Sequence, residues 1–198
     1  MSLSSTPLVT AAIPQIDPAS VDLTDGVVRL RCLTPADSPA MFPAVRESLP
    51  ELVRWMSWAH EAYSVEENLK FLSSCPEEWK GDRHYSFGVF ATDTGEFLGG
   101  AGMNFIERAR GRANLGYWIR SSKCGRGYAT RATKLVARFG FTSLAFTRIE
   151  IIAAVANTAS QRVAEKVGAH REGVMRHGIV IHGTPTDAVL YSLLPGEV

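Results

Sequence analysis

Apolar and polar residues alternate over Val27-Val28-Arg29-Leu30-Arg31-Cys32-Leu33, the period of a strand with one buried face. Thr34-Pro35-Ala36-Asp37 then offers a cap residue and an early proline that open a helix. Ser64-Val65-Glu66-Glu67 has the form of a capping box, and Leu69, Leu72 and Trp79 follow on one helical face. Tyr85 to Ala91 and Phe97 to Ile106 are predicted as two strands, joined into a hairpin by Thr92-Asp93-Thr94-Gly95-Glu96. Asn114 to Arg120 predicts another strand, and Ala129, Ala132, Leu135, Val136 and Phe139 stripe a helix running toward Leu144. Arg148 to Ala156 is rich in β-formers. Asn157 can cap a further helix striped by Ala159, Val163 and Val167, with Gly168 placed for a left-handed C-cap. Two closing strands are predicted near Ala169 to Ile181 and Thr186 to Leu194.

Residues 1 to about 24 show neither period and predict a loosely held N-terminal arm, which leaves residues 25–198 as a single domain. No internal repeat, low-complexity tract or linker divides that stretch. The element order predicts an α/β (α+β) fold: a mixed, mostly antiparallel central sheet of about seven strands, flanked by about four helices. At least one parallel crossover is expected, joining the strand ending at Arg120, through a helix, to the strand at Arg148. A ligand is expected at that crossover.

Composition supports this picture. With 198 residues, 45% of them hydrophobic and 21% charged, the chain suits one compact domain. Folding at this size buries roughly 70% of the unfolded surface, so disulfides or a structural metal are not required. Cys32, Cys75 and Cys124 are odd in number and far apart, which fits neither a disulfide framework nor a zinc site and points to a reducing cytoplasm. The five histidines are likewise dispersed, so no metal is expected. No Lys or Arg precedes Arg29, and no apolar run is long enough to span a bilayer, so neither a signal peptide nor a membrane partner is expected.

The net charge of +1 is unevenly spread. Arg108, Arg110, Arg112, Arg120, Lys123, Arg126, Arg131, Lys134, Arg138 and Arg148 fall in a stretch from Arg108 to Ile149 that holds no Asp or Glu. An anionic ligand is expected nearby. Nucleic acid is a poorer fit, because the charges are split over strand, loop and helix with no stacking-aromatic motif or zinc finger beside them.

Within that stretch, Ser122-Lys123-Cys124-Gly125-Arg126-Gly127-Tyr128-Ala129 carries a strand into a helix N-terminus, where free amides and the helix dipole attract anions. Gly125 and Gly127 allow close approach of a phosphate, and Lys123 and Arg126 add full charges. No Gly-Lys-Ser/Thr follows, which excludes a Walker loop, and Thr130 stands where the dinucleotide fingerprint needs its third glycine.

Asn114-Leu115-Gly116-Tyr117-Trp118-Ile119-Arg120, with the glycine loop and helix after it, resembles the cofactor-binding motif of GNAT acyltransferases. The RimJ/RimL-like branch, which acetylates the N-termini of ribosomal proteins, is most similar. It is matched further by Arg148-Ile149-Glu150, Asn157-Thr158-Ala159-Ser160, Glu165-Lys166-Val167-Gly168 and Arg171-Glu172-Gly173-Val174. Ser48-Leu49-Pro50-Glu51-Leu52 with Trp55 and Trp58 resembles the acceptor-side segment, although two Trp residues three apart also suit core packing, and His60 follows close behind.

The resemblance, which spans roughly Val27 to Leu194, implies a GNAT fold splayed at the cofactor site. It also implies direct transfer from acetyl-CoA, or another short acyl-CoA, to an amine. The strand residues Tyr117, Trp118 and Ile119 would pair with the pantetheine arm, and the amides of Cys124, Gly125, Arg126, Gly127, Tyr128, Ala129 and Thr130 would take the pyrophosphate. Asn157 and Ser160 would lie beside the thiol end, with Ser160, or a bound water, protonating the leaving sulfur. A backbone N–H near Trp118 or Ile119 would hold the oxyanion.

Two positions depart from the pattern. Ala164 stands where many GNAT enzymes carry a Tyr, and Ile179 stands where the Rim-type glutamate is expected, so the general base is missing or relocated, with Glu107, Glu150 or water-mediated deprotonation as substitutes. A protein N-terminus, an amino sugar, an antibiotic or a small amine all remain open as acceptor, as does a homodimer. The Ile179 departure also keeps open a non-catalytic acyl-CoA-binding or sensing role.

Overall fold

The computed structural model describes residues 16–198. Its strands and helices are β1 (Asp22–Thr24), β2 (Val28–Cys32), α1 (Ser38–Leu52), α2 (Val65–Lys80), β3 (Tyr85–Ala91), β4 (Phe97–Glu107), β5 (Arg112–Ile119), α3 (Tyr128–Thr142), β6 (Arg148–Ala154), α4 (Thr158–Val167), β7 (His170–Ile181) and β8 (Thr184–Leu193). The eight strands form one sheet in the order β1-β2-β3-β4-β5-β6-β8-β7. Only β5 and β6 pair in parallel; every other neighbouring pair is antiparallel.

Local chemistry explains the element ends. The Ser64 hydroxyl accepts the Glu67 N–H at 3.2 Å while the Glu67 carboxylate accepts the Ser64 N–H at 2.9 Å, the two reciprocal bonds that start α2. Asn157 Oδ1 accepts the Ser160 N–H at 3.1 Å at the head of α4, and Gly168 closes that helix at φ +95°. Thr34-Pro35-Ala36-Asp37 forms a single 3-10 turn, and α1 proper begins at Ser38.

The eighth strand is a departure from the expected count of about seven, and it lies inside the stretch expected to be a loose arm. Asp22–Thr24 pairs with Arg29–Arg31 on β2, and Asp22 forms an ion pair with Arg29 at 2.6 Å. Three residues are too few to display an alternating period, so the pairing had no local signature. The arm's residues 1–15 lie outside the described residues.

All seven residues of β3 are buried, which places it at the centre of the core. Trp79 of α2 packs against Phe87 with ring centroids 4.7 Å apart, and Phe87 against Phe139 of α3 at 5.4 Å. Ser86 lies opposite Gly102, and Gly102 opposite Gly116, so small residues cross three adjacent strands and leave a trough.

The parallel ladder between β5 and β6 is short. Arg112↔Arg148, Ala113↔Ile149 and Asn114↔Glu150 pair, and then the strands part, although β5 continues its ladder with β4 to Ile119↔Gly99. The backbone of Leu115 to Ile119 therefore has no partner on the β6 side, as expected of a sheet splayed at this point.

Candidate active site

The wedge between β5 and β6 opens toward the N-terminus of α3. Gly125 and Gly127 adopt φ of +77° and +82°, a left-handed conformation that glycine tolerates, and a Cβ on either would meet nothing within 4 Å. Arg131 is the first residue of α3 whose N–H is bonded back, to the Gly127 carbonyl at 3.1 Å. Among the described residues, the amides of Gly125, Arg126, Gly127, Tyr128, Ala129 and Thr130 have no protein acceptor. Six unsatisfied N–H groups at the positive end of a 15-residue helix make an anion cradle. Cys124, grouped with them by sequence, differs, because its N–H turns back to the Ser121 carbonyl at 3.3 Å and closes a 3-10 turn.

Most of the basic stretch is not available to a ligand. Arg108, Arg110, Arg112, Arg120, Lys123, Arg131 and Arg148 are all ion-paired to acids from outside the segment, and Lys123 meets Glu96 at 2.6 Å instead of serving the glycine loop. Arg126, Lys134 and Arg138 have no such partner among the described residues. The anionic preference thus rests on these three side chains and the helix terminus.

The loop before α3 is fastened to α1. The Ser122 N–H donates to Glu47 Oε1 at 2.9 Å, the Ser121 N–H to Ser48 Oγ at 3.0 Å, and the Ser121 hydroxyl to Glu51 Oε2 at 2.7 Å. Glu47 also holds the Arg120 guanidinium. The Arg120 and Ser122 hydrogen bonds bring the Glu47 carboxyl down to about 2. These contacts join residues 70 to 75 positions apart, and no sequence signal announced them.

On the opposite wall of the wedge, Ser160 sits in the first turn of α4 with its N–H held by Asn157. Tyr117, on β5, reaches across. Its hydroxyl lies 2.8 Å from the Ser160 carbonyl oxygen and 3.1 Å from Ser160 Oγ. Burial raises the Tyr117 phenol to about 12. Ala164, where a Tyr was sought, is fully buried in the packing of α4.

The glycine trough widens into a cleft of about 700 Å³ whose walls include Trp58, Tyr63, Phe71, Trp118, Glu67 and His84. Trp58 and Trp118 face each other with ring centroids 6.2 Å apart. Trp58 is 42% exposed, so it is a wall of the cleft and not the core residue its spacing with Trp55 also allowed. The tip of the β7–β8 hairpin is tied to the α1–α2 connection: the Ser57 hydroxyl donates to the Val180 carbonyl at 3.0 Å, and His182 Nε2 lies 2.8 Å from the Val53 carbonyl.

No proton acceptor appears where sequence reasoning placed one. Glu107 is ion-paired with Arg110 and Arg112, and Glu150 with Arg112 and Arg148, and neither lines the cleft. Ile179 pairs with Thr186 beside a register shift in β7. The titratable groups that line the cleft are Glu67, Lys70, His84 and the phenols of Tyr63 and Tyr117. Burial favours the neutral form of His84, and the Ser64 backbone N–H and His60 keep Glu67 ionised. His60 is 2.9 Å from Glu67 at the rim. Among the described residues, no group of three or more His, Cys, Asp or Glu could hold a metal ion.

Open wedge, amide cradle and cleft fit the three parts of an acyl-CoA: pantetheine, pyrophosphate and the acyl group directed at an acceptor. Known proteins agree. Residues 28–170 match the acetyltransferase (GNAT) domain family. The Bacillus subtilis N-acetyltransferase YoaA, itself uncharacterized, is 29% identical over 171 residues, covering 86% of this chain and 94% of its own length. A Vibrio cholerae structure assigned as a ribosomal-protein-serine acetyltransferase superposes with a TM-score of 0.80 at 28% identity, covering 91% of this chain and 100% of the other. Mycobacterium smegmatis RimJ, solved with CoA-disulfide, superposes with a TM-score of 0.78 at 26% identity, covering 90% and 88%. With this family match running from β2 through the glycine loop to the end of α4, the chain belongs to the GNAT family of acetyltransferases.

Proposed function

We propose that residues 25–198 form a single catalytic domain that transfers the acetyl group of acetyl-CoA, or another short acyl-CoA, directly to an amine acceptor in the cytoplasm. The observation that carries this is, among the described residues, the row of unbonded amides from Gly125 to Thr130 at the mouth of a wedge whose β5 wall has no ladder partner on the β6 side beyond Asn114. Pyrophosphate binding there needs no side chain beyond Arg126, because the amides and helix dipole supply the complementary charge. The free backbone of Tyr117, Trp118 and Ile119 pairs with the pantetheine arm and supplies the N–H that receives the carbonyl oxygen as charge develops on it. Asn157 fixes the first turn of α4, and Ser160 donates its hydroxyl proton in a hydrogen bond to the departing sulfur.

The acceptor enters over the glycine trough between Trp58 and Trp118. A protein N-terminus is the acceptor class favoured by the likeness to RimJ, with small amines as the other. Among the described residues the carboxylate in the cleft wall, Glu67, is already bonded to His60 and the Ser64 N–H, which leaves deprotonation of the amine to water in the cleft, with neutral His84 as the side chain able to take the proton.

A thiol-release assay with acetyl-, propionyl- and succinyl-CoA over a panel of N-terminal peptides, amino sugars and small amines tests the reading. Release that depends on both an acyl-CoA and an amine is expected. Tight acyl-CoA binding with no release for any amine would instead support the sensing role.

A further inference from the structure

We infer that Tyr117 is the positioning residue that turns the Ser160 hydroxyl onto the leaving sulfur, an inference that rests on the acyl-transfer reading above. The two residues stand on opposite walls of the wedge and 43 positions apart in the chain, yet one phenol touches Ser160 twice, at its carbonyl oxygen and at Oγ. With Asn157 holding the Ser160 N–H from the other side, the serine is fixed through its backbone at both ends. Only its Oγ–H is left to choose a partner.

A phenol has one hydrogen, so the two contacts define two arrangements. In the first, Tyr117 donates to the Ser160 carbonyl and Ser160 Oγ donates to the phenol oxygen. In the second, Tyr117 donates to Oγ, and the serine hydrogen is released toward the wedge. Negative charge arriving on the sulfur favours the second, because a hydroxyl that accepts a hydrogen bond is a stronger donor.

The bonds balance as follows. The amine nitrogen forms a bond to the acyl carbon, the carbon–sulfur bond breaks with its electron pair going to sulfur, and the surplus amine proton passes to water. Ser160 and Tyr117 keep their protons throughout. Burial holds the phenol near 12, far above an ordinary thiol near 8.5, so Tyr117 remains a neutral donor and does not protonate the sulfur.

A purely structural strut between β5 and α4 would change stability and leave the sulfur unaffected. The discriminating readout is therefore the ionisation of the thiol of bound CoA, followed by the ultraviolet absorbance of the thiolate, a measurement that needs no acceptor. Calorimetry on the same samples reports CoA affinity. In the wild type, the bound thiol should ionise at lower pH than free CoA. Tyr117→Phe, which keeps the ring and loses the hydroxyl, should raise that pKa by about one unit, since a hydrogen bond to a charged group is lost or weakened. Ser160→Ala should raise it at least as much, and Tyr117→Phe added to Ser160→Ala should have no further effect.

Bound CoA whose thiol ionises alike in wild type and Tyr117→Phe overturns this inference and leaves the acyl-transfer reading standing. A Tyr117→Phe effect that persists undiminished without the serine hydroxyl overturns action through Ser160. Failure of the wild type to bind CoA overturns both.

Discussion

The N–H of Ser122 donates to Glu47 at 2.9 Å, so a carboxylate on the acceptor-side helix α1 fixes the loop that leads into the amide cradle of α3. Arg120 binds the same carboxylate. Position in this part of the site is therefore set by contacts between the two halves of the molecule and not by the glycines alone.

Replacing Glu47 by Ala frees the Ser122 N–H and leaves Arg120 with Glu96 as its remaining acid partner. Loss of a charge-assisted bond to the loop should weaken acetyl-CoA binding about tenfold, as measured by calorimetry. The carboxyl is held down to about 2 in the fold, so its contribution is complete above its ordinary value of 4.5 and is lost as pH falls through about 2. The difference in melting temperature between wild type and E47A should accordingly be present at neutral pH and close in acid.

His84 gives a pH dependence of the same sign, beginning at a higher pH. Burial lowers its pKa below the ordinary 6.5, so the unfolded chain binds this proton more readily than the fold does. Stability should be full above 6.5 and fall as pH drops below it, and urea unfolding of H84Q should lose that portion of the slope.

Gly102 is required by packing. A Cβ there would collide with the Tyr85 carbonyl oxygen and lie 3.2 Å from Ser86 Cα, both backbone atoms that cannot swing aside. Gly102→Ala should cost about 1–3 kcal/mol in denaturant unfolding.

Ser160→Ala should reduce turnover by about tenfold or more, with the dissociation constant for acetyl-CoA unchanged within about threefold, because the proposed bond forms with the departing sulfur and not with the ground state. Stopped thiol-release rates and calorimetry on the same protein check the two halves.

How much of this was legible in the chain depended on the range of the interaction. Ser64, Asn157 and Gly168 act on backbone groups within a few residues, and each marks a helix end that the structure bears out. The glycine loop is equally local, and its amides from Gly125 to Thr130 stand free as expected. Charge was misleading by comparison. Lys123 looked like a ligand group and Arg131 added to the basic stretch, but Glu96 and Asp25 pair with them across 27 and 106 positions.

The same limit applies to the proton chemistry. Alignment along α4 directed attention to Ala164, whereas the phenol that reaches Ser160 comes from β5, on the other wall of the wedge. A short edge strand such as β1 was hidden for a different reason, since three residues carry no period.

Calorimetric titration of acetyl-CoA into wild type and Gly125→Val tests the central claim most directly. Gly125 sits at φ +77°, which a β-branched residue resists, and its Cβ would project into the open space through which a phosphate must approach. Saturable binding by the wild type, weakened at least about tenfold in Gly125→Val while the fold is retained, is the predicted result; equal affinity in the two proteins, or no binding by the wild type, contradicts the account.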